Sequence, residues 1–303
     1  MTARARPASY NVTVNLSSAR LNADLHCHSS VSDGTLEPEA LAARAKANGV
    51  ELWALTDHDE VGGLQRAMDA ARDLGLPFLT GAEISVTFAG TTVHIVGLGF
   101  DAHDAALSAG LAATRGGRRE RAMEMSDELA KVGIAGAYEG ALKYVGNPEL
   151  ISRTHFARHL VETGVCADTQ EVFRRFLVEG KPGFVPHRWA TLGDAVRWIV
   201  AAGGVAVVAH PARYRFSPTE EYALFTEFKG HGGRGVEVTT GSHTAAEAER
   251  YAGTAREFDL LASRGSDFHS PDESRIDLGG LPALPTGLTP VWETLQSRVQ
   301  RAA

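Results

Sequence analysis

The sequence of 303 residues is poor in cysteine and has no long apolar run. Its two cysteines, Cys27 and Cys166, are too few for a framework of disulfide bonds, which fits a reducing compartment. No segment approaches the ~18 to 20 consecutive apolar residues that cross a bilayer. The first twenty residues contain arginines but no apolar segment, so a signal peptide is not predicted. We therefore expect a cytoplasmic protein with no membrane partner.

The chain also lacks an excess of positive charge. Its formal net charge is −7, so the surface as a whole should not attract long nucleic acid or an anionic membrane. A phosphate-bearing ligand would have to be held by a local cluster of positive charge or by metal. No pattern in the sequence indicates an oligomeric state.

What the sequence does contain is an alternation of β-rich and helical runs. Strands are predicted at 23–27, 52–56, 77–86, 92–100, 205–209, 235–240 and 260–263. Helices are predicted at 38–48, 61–74, 191–202, 219–229 and 245–258. Strands separated by helices of this length predict βαβ units and a parallel sheet. The number of units favours an α/β barrel resembling the TIM fold, though an incomplete one, over an open sheet.

The alternation is interrupted between residues 101 and 183, where the pattern is helical and no strand is indicated. We interpret this segment as a helical insertion that caps a barrel domain formed by residues 21–100 and 184–290. Residues 1–20 are interpreted as an N-terminal extension, with a short strand at 10–16 as the alternative. Residues 291–303 form a predicted C-terminal tail.

Histidine and carboxylate side chains lie within or directly after the predicted strands. Chemistry in such barrels takes place at the carboxyl ends of the strands, so we expect these side chains to converge on one rim. Imidazole and carboxylate groups without thiolate suit zinc, manganese or iron, and this many suit two or three ions rather than one. The candidate ligands are His26, His28, Asp33, His58, Glu83, His94, His210, Asp267 and His269.

Each part of this pattern has a plainer interpretation. His26 and His28 are two apart in a strand and face the same side, but such a pair is often only partly buried packing. The run at 56–59 could be a turn whose aspartate caps the next helix. Glu83 in an apolar strand is harder to explain without a cation, because a buried carboxylate with no partner costs several kcal/mol.

Six short segments resemble the motifs of the polymerase and histidinol phosphatase (PHP) superfamily, in the same order. They are Asp-Leu-His-Cys-His-Ser at 24–29, Ser-Asp-Gly at 32–34, Thr-Asp-His-Asp at 56–59, Gly-Ala-Glu at 81–83, Ala-His-Pro at 209–211 and Gly-Ser-Asp-Phe-His at 265–269. The resemblance covers about residues 21–280. It implies a distorted (β/α)7 barrel and a trinuclear metal site whose ligands are the nine residues named above.

Within that superfamily, the chain looks most like the bacterial nucleoside 3′,5′-bisphosphate phosphatases. The helical insertion and the segments 118–121 and 152–157 carry this likeness. It implies removal of the 3′-phosphate from adenosine 3′,5′-bisphosphate to leave AMP, and some members also act as 5′-to-3′ exonucleases on short RNA. Thr154 departs from the family, which usually carries proline there.

The substrate contacts implied by these segments are mostly cationic, and arginine suits a bidentate grip on phosphate oxygens. For each arginine alone, a solvated helix face is the alternative. The candidate substrate-binding residues are Asp59, Arg118, Arg119, Arg121, Arg153, His155 and Arg213.

The mechanism that we infer is metal-assisted hydrolysis, in which metal-activated hydroxide attacks phosphorus. Manganese is the expected ion, with iron or zinc as alternatives. Asp59 and His210 are the candidates for protonating the departing ribose oxygen, and the sequence does not decide between them.

Three other functions compete with this prediction. Histidinol phosphate would need an acidic contact for its amine, whereas an arginine-rich cap favours a second phosphate. Exonuclease action on short RNA oligomers would give a turnover that depends on length. The third is a metal-binding structural or regulatory module without catalysis. The absence of both bound metal and phosphatase activity would favour it.

Overall fold

The structure is a computed structural model that describes residues 20–301. The predicted N-terminal extension therefore lies outside the described residues except for Arg20, as do the last two residues of the predicted tail. No helix in the described range is long and apolar enough to cross a membrane.

Seven strands form a nearly closed barrel, and an eighth short strand pairs beside it. The strands are β1 (Ala23–Asp24), β2 (Leu52–Leu55), β3 (Phe78–Phe88), β4 (Thr91–Leu98), β5 (Ala190–Thr191), β6 (Val205–Val208), β7 (Gly235–Thr240) and β8 (Leu261–Gly265). Their order is β1-β2-β3-β4-β6-β7-β8, and β5 pairs with β3. Cys27 pairs with Phe268 next to β1 and β8, which brings the two ends of the sheet together. The predicted α/β barrel is confirmed.

The sheet is mixed, so the prediction of an all-parallel sheet is wrong. Strands β3 and β4 are antiparallel, and β4 is also antiparallel to β6. The turn between β3 and β4 contains only Ala89 and Gly90, both with positive φ (46° and 78°). Two residues in this conformation can join antiparallel strands but cannot carry a crossover to a parallel one.

Eleven α-helices lie within the described residues. They are α1 (Pro38–Ala47), α2 (Leu64–Asp73), α3 (Ala105–Arg115), α4 (Arg118–Lys131), α5 (Ala137–Leu142), α6 (Arg153–Glu162), α7 (Thr169–Val172), α8 (Leu192–Ala201), α9 (Pro218–Gly230), α10 (Ala245–Glu257) and α11 (Val291–Thr294). Ser217 and Thr244 begin α9 and α10 with capping boxes, and Thr191 accepts the first-turn N–H of α8.

The helices α4 to α7 have a hydrophobic core of their own. Met125, Leu129, Phe156, Leu160 and Leu177 are buried together in a cluster that is separate from the core around the barrel. This arrangement is what an inserted helical unit requires, although the domain boundaries stay a prediction.

The C-terminal residues pack against the barrel. Trp292 in α11 is fully buried, and the backbone of Gln300 pairs with that of Phe78 at the start of β3, with the N–H of Gln300 2.8 Å from the carbonyl oxygen. The segment after residue 290 therefore covers the edge of the core in the part that the structure describes.

Gly110 is where α3 meets α8, and it is essential to that contact. A Cβ added there would lie 2.4 Å from the ring of Trp198, so the helices could not keep their spacing. We expect Gly110→Ala to lower the free energy of unfolding by about 1–3 kcal/mol, as overpacking usually does. Gly253→Ala on α10, where no atom lies within 4 Å, is the matched control and should be neutral or stabilising. Urea denaturation of both variants would test this, and equal stabilities would contradict it.

Candidate metal centre

The structure brings all nine predicted ligands to one end of the barrel. Backbone pairing explains why residues distant in sequence meet there. His58 forms a bridge with Glu83 of β3, and His26 accepts the N–H of Asp267 at 2.8 Å through its carbonyl oxygen. His94 lies opposite Ser85 in the β3–β4 hairpin. Sheet register thus positions the ligand candidates that lie in or beside the strands.

Asp57, a buried carboxylate outside the predicted ligand set, holds one loop of this rim in place. Asp57 accepts hydrogen bonds from the backbone N–H and hydroxyl of Ser29 and from the hydroxyl of Ser32, and this fixes the turn that carries Asp33. The turn passes so close to the backbone that a Cβ at Gly34 would lie 2.1 Å from the carbonyl oxygen of His28. Glycine is therefore required there by space.

Eight of the nine residues form three groups in which each ligand atom lies within 4.8 Å of the others, and His210 belongs to none of these groups. The groups are His28, Asp33, His58 and His269; His26, His28, Glu83 and Asp267; and His58, Glu83 and His94. His28, His58 and Glu83 each belong to two groups, so neighbouring groups share a ligand. Sharing of this kind is expected where several ions lie close together.

Glu83 is at the centre of the cluster and is fully buried. Its Oε1 lies 2.9 Å from Nδ1 of His94 and 3.0 Å from Nε2 of His210, while its Oε2 lies 3.0 Å from Nδ1 of His58. The same Oε2 is 3.3 Å from Nε2 of both His26 and His28. One carboxylate thus faces five imidazoles.

Several of these atoms are buried without a hydrogen-bond partner. They are Nδ1 of His28, His58 and His94, Oδ1 of Asp33 and Oε2 of Glu83. A buried polar atom with no partner costs about 1–3 kcal/mol, so a concentration of them is unusual in a core. Nitrogen and oxygen atoms that converge without hydrogen bonding to one another fit a metal site.

The carboxylates make the cluster strongly favourable for positive charge. Burial opposes protonation of His28, but Asp267 and Glu83 outweigh it and raise its pKa to about 10. Burial likewise opposes ionisation of Glu83, yet the surrounding histidines hold its pKa well below the usual range. The carboxylates are therefore anionic across the ordinary pH range, as ligands of a divalent cation must be.

A second layer of residues orients the ligands. Glu237 of β7 is buried, and its two oxygens accept from Nδ1 of His26 at 2.8 Å and from the backbone N–H of His210 at 2.7 Å. The hydroxyl of Tyr214 lies 2.9 Å from the backbone nitrogen of His94 and 3.2 Å from Nδ1 of His210. These contacts leave Nε2 of His26 and Nε2 of His210 directed into the cluster.

Backbone strain is concentrated at this rim. Asp59, His210 and Asp267 have positive φ values of 50°, 27° and 55°, which non-glycine residues rarely adopt. Each of these residues lies in a loop shortly after the end of a strand. Such conformations cost on the order of 1–3 kcal/mol and persist at sites where function fixes them.

His210 lies between the central carboxylate and Tyr214. Its Nε2 lies beside Glu83 and its Nδ1 beside Tyr214. Burial and the positive charge of Arg213 lower its pKa to about 4, so the imidazole is neutral at ordinary pH. A neutral ring suits metal coordination.

A cavity of about 90 Å³ lies directly above the cluster, and four arginines line it. They are Arg118, Arg121, Arg153 and Arg213. Trp189, which the sequence analysis did not single out, forms part of the wall and lies under the guanidinium groups of Arg118 and Arg121, with carbon-to-centroid distances of 4.6 and 5.3 Å. The cavity thus joins a cation-rich wall to the floor of imidazoles and carboxylates.

The positive charges in this wall are only partly neutralised. Arg121 and Arg153 donate to backbone carbonyls, of Val185 and Leu177, and neither pairs with a carboxylate among residues 20–301. Burial and the neighbouring arginines lower the pKa of Arg121 to about 9 and that of Arg153 to about 10. Crowded guanidinium groups without carboxylates favour a bound anion.

Asp59 does not line the cavity, which corrects the prediction that it contacts substrate or donates a proton. It is fully buried, forms an ion pair with Arg118 and accepts from the backbone N–H of Ser85 at 2.7 Å. The Asp59 carboxylate is therefore already bonded to these two partners. It influences the cavity by holding the guanidinium of Arg118, which lines it.

Two further predicted substrate contacts lie away from the cavity. Arg119 is exposed on α4, because it is rotated about 100° from Arg118 along the helix. His155 is fully buried and caps α6, with its Nδ1 accepting from the backbone N–H of Ser152 at 3.0 Å. Neither side chain lines the cavity.

Glu237 offers a test of the second layer. We expect Glu237→Gln to weaken divalent metal binding about 10- to 100-fold, as loss of such a partner commonly does. The carboxamide has one acceptor oxygen, whereas Glu237 accepts from both His26 and His210. Competition with a chelating dye would measure the affinity. Glu249→Gln, an exposed position on α10, is the control, and equal affinities of the two variants would exclude the role.

The chain is similar to known proteins over nearly its whole length. The PHP domain family matches residues 24–159. A 3′,5′-nucleoside bisphosphate phosphatase of Chromobacterium violaceum is 50% identical over 282 residues, covering 93% of this chain and 99% of the relative. A 5′-3′ exoribonuclease of Haemophilus influenzae is 42% identical over 270 residues, covering 89% and 97%.

Structural comparison agrees with these likenesses. An amidohydrolase of Chromobacterium violaceum, solved with sulfate and no metal, superposes with a TM-score of 0.91 at 50% identity, covering 93% of this chain and 98% of that one. The ligand cluster and these likenesses together support binding of divalent metal and a phosphoesterase activity. The motifs, the barrel and the relatives lead to one conclusion, that the chain belongs to the PHP domain family.

Proposed function

We propose that the nine clustered residues hold two or three divalent ions, with manganese the expected metal and iron or zinc as alternatives. The observation that supports more than one ion is the sharing of His28, His58 and Glu83 between the three ligand groups. When bound, such ions would polarise the phosphoryl group and lower the pKa of a water molecule.

The residues of the chain itself have distinct tasks in this proposal. Glu237 and Tyr214 fix the ring orientations of His26 and His210, so that ligand nitrogens stay directed inward. Arg213 donates to Oδ2 of Asp267 at 2.7 Å and reaches into the same cavity, where it can also neutralise phosphoryl oxygens. Arg118 is held by Asp59 and Trp189 and needs no reorganisation to meet an anion.

The substrate that this arrangement fits best carries two phosphates, and we propose a nucleoside 3′,5′-bisphosphate such as adenosine 3′,5′-bisphosphate. The 3′-phosphate would lie over the ligand cluster, and the 5′-phosphate would meet Arg121 and Arg153. The absence of carboxylate partners for these two arginines among the described residues carries this assignment. The name of the Chromobacterium violaceum relative agrees with it.

We also propose that residues 101–183 act as a cap, because their arginines supply the cation-rich wall above a floor built by the barrel. A substrate would then be enclosed between two parts of one chain. A small phosphorylated nucleotide or a short oligonucleotide is the substrate class that we propose, and a net charge of −7 does not favour long nucleic acid.

Product identification tests the proposed reaction directly. The metal-loaded protein is incubated with adenosine 3′,5′-bisphosphate, and the products are separated by chromatography. AMP and phosphate are expected. Adenosine 3′-phosphate would show that the roles of the two phosphates had been reversed, and hydrolysis of histidinol phosphate in preference to the bisphosphate would contradict the assignment.

Exonuclease action on short RNA is the second candidate. The Haemophilus influenzae relative carries that name, and a further cavity beside the ligand cluster gives the candidate a structural basis.

A further inference from the structure

A second and larger cavity, of about 560 Å³, adjoins the ligand cluster, and Trp189 does not line it. The two cavities share five lining residues, Thr154, Phe173, Arg213, Asp267 and His269, so they meet at the metal site. Its volume lies within the range of about 300–1,000 Å³ that is usual for sites of small ligands. A single phosphate over the cluster would leave this space empty.

The larger cavity has its own cations. Arg215 and Arg275 line it together with Arg213, and both are exposed side chains. Arg275 donates to the amide oxygen of Gln170 at 3.1 Å, and neither Arg215 nor Arg275 forms an ion pair with a carboxylate among residues 20–301.

The carboxylates of the larger cavity are already engaged. Glu273 is paired bidentately with Arg158, with distances of 2.8 and 2.7 Å, and Asp267 belongs to the ligand cluster. The mouth of the cavity is therefore cationic, and Phe173 offers an aromatic ring in its wall. Cations beside an aromatic ring suit a nucleotide.

The two candidate substrates differ only in what the scissile phosphate carries on its far side. In a nucleoside 3′,5′-bisphosphate and in a 5′-phosphorylated oligonucleotide, the same bond breaks, between phosphorus and the 3′-oxygen of the first nucleotide. Water supplies the hydroxyl that stays on phosphorus and the proton that ends on the 3′-oxygen. In the oligonucleotide, the phosphate carries in addition an ester to the next nucleoside, which needs room beside the cluster.

We propose that the larger cavity binds the nucleotide that follows the scissile phosphate, with Arg215 and Arg275 contacting its phosphate or the phosphate after it. This inference rests on the proposed function, since it takes the 3′-phosphate to lie over the ligand cluster. It assigns the two cavities to different parts of one substrate. The cation-rich wall selects the 5′-phosphate, and the larger cavity determines whether a diester is accepted.

The test compares two substrates on metal-loaded protein, adenosine 3′,5′-bisphosphate and the 5′-phosphorylated trinucleotide pApApA. Arg215→Ala together with Arg275→Ala should lower kcat/KM for the trinucleotide about tenfold, mainly by raising KM, because hydrogen bonds to charged groups are lost. The value for the bisphosphate should stay within about twofold. Arg174→Ala together with Arg234→Ala removes two exposed arginines that line neither cavity and should leave both values unchanged.

Binding provides a readout that does not depend on turnover. An analogue of the trinucleotide in which a methylene group replaces each bridging 3′-oxygen cannot be cleaved there, and calorimetric titration measures its affinity for the metal-loaded protein. The same tenfold loss is expected for the Arg215 and Arg275 double variant.

The outcomes separate the inference from the function on which it rests. If the unaltered protein fails to hydrolyse the bisphosphate, the proposed function is wrong. If it hydrolyses the bisphosphate but not the trinucleotide, or if the double variant loses both activities equally or neither, the assignment of the larger cavity is overturned.

Discussion

Replacing both His26 and His28 with alanine should remove bound metal and lower kcat/KM for adenosine 3′,5′-bisphosphate by more than about a thousandfold. His28 belongs to two of the three ligand groups, and Nε2 of His26 lies 3.3 Å from the central carboxylate of Glu83. The double variant therefore weakens more than one ion position at once. Without the ions, water keeps its ordinary pKa and the phosphoryl charge is not neutralised, which together account for several kcal/mol of barrier.

This experiment needs a control for folding, because the variant leaves Glu83 and Asp267 buried with fewer partners. His103→Ala together with His231→Ala changes the same residue types at exposed positions and should keep metal and turnover. Thermal unfolding followed by circular dichroism would verify that the site variant is folded. Undiminished turnover by a folded, metal-depleted double variant would refute the metal-dependent mechanism.

Replacing Arg121 and Arg153 with alanine should lower kcat/KM for adenosine 3′,5′-bisphosphate about 100- to 1,000-fold. Each guanidinium can form charge-assisted hydrogen bonds to phosphate, worth about 1.5–3 kcal/mol apiece. Neither arginine pairs with a carboxylate among the described residues, so the variant leaves no buried carboxylate without its partner. The loss should therefore reflect binding of the second phosphate and not instability.

A substrate with one phosphate separates the two effects. Hydrolysis of p-nitrophenyl phosphate should change by no more than about threefold in the Arg121 and Arg153 double variant, because its one phosphate would lie over the ligand cluster beside Arg213 and not at Arg121 or Arg153. Arg119→Ala on the same helix is the matched control and should leave both substrates unaffected, since its side chain is exposed. An equal loss with both substrates would show that these arginines support the metal site generally.

The ligand positions could be predicted from sequence because they depend on strand positions and on short motifs. His26, His28, Asp267 and His269 directly follow β1 and β8, and the ends of adjacent strands must meet at one rim. A side chain that directly follows a strand has little freedom to point elsewhere. The structure places the four residues next to one another through the pairing of Cys27 with Phe268.

The cation-rich wall is harder to predict because it depends on contacts between distant segments. The sequence predicts Asp59 as a substrate contact or proton donor, but its carboxylate pairs with Arg118, which lies 59 positions later. Helical phase could have separated Arg119 from Arg118 and Arg121, which are three apart and share a face. Trp189 lies in no recognisable motif, and only the folded chain places its ring beneath two guanidinium groups.

The residues that orient the predicted ligands are equally hard to predict from the sequence. Glu237 in a buried strand could have been either a partner of a ligand or an ordinary hydrogen-bonded residue, and the sequence left both open. Its contacts with His26 and His210 span 211 and 27 positions of the chain, a separation that no local pattern encodes. The sequence predicts both β3 and β4 but not their antiparallel pairing. The lack of a predicted helix between residues 86 and 92 is the signal that indicates a hairpin.

The central claim is that the nine residues form one site for several ions, with Glu83 between them. Anomalous diffraction from crystals grown with Mn²⁺, recorded at the manganese edge, tests it most directly. We predict at least two strong peaks within coordination distance of the nine residues, with one oxygen of Glu83 or a nitrogen of His28 or His58 close to each. A single peak remote from Glu83, or none in crystals of active protein, would contradict the account.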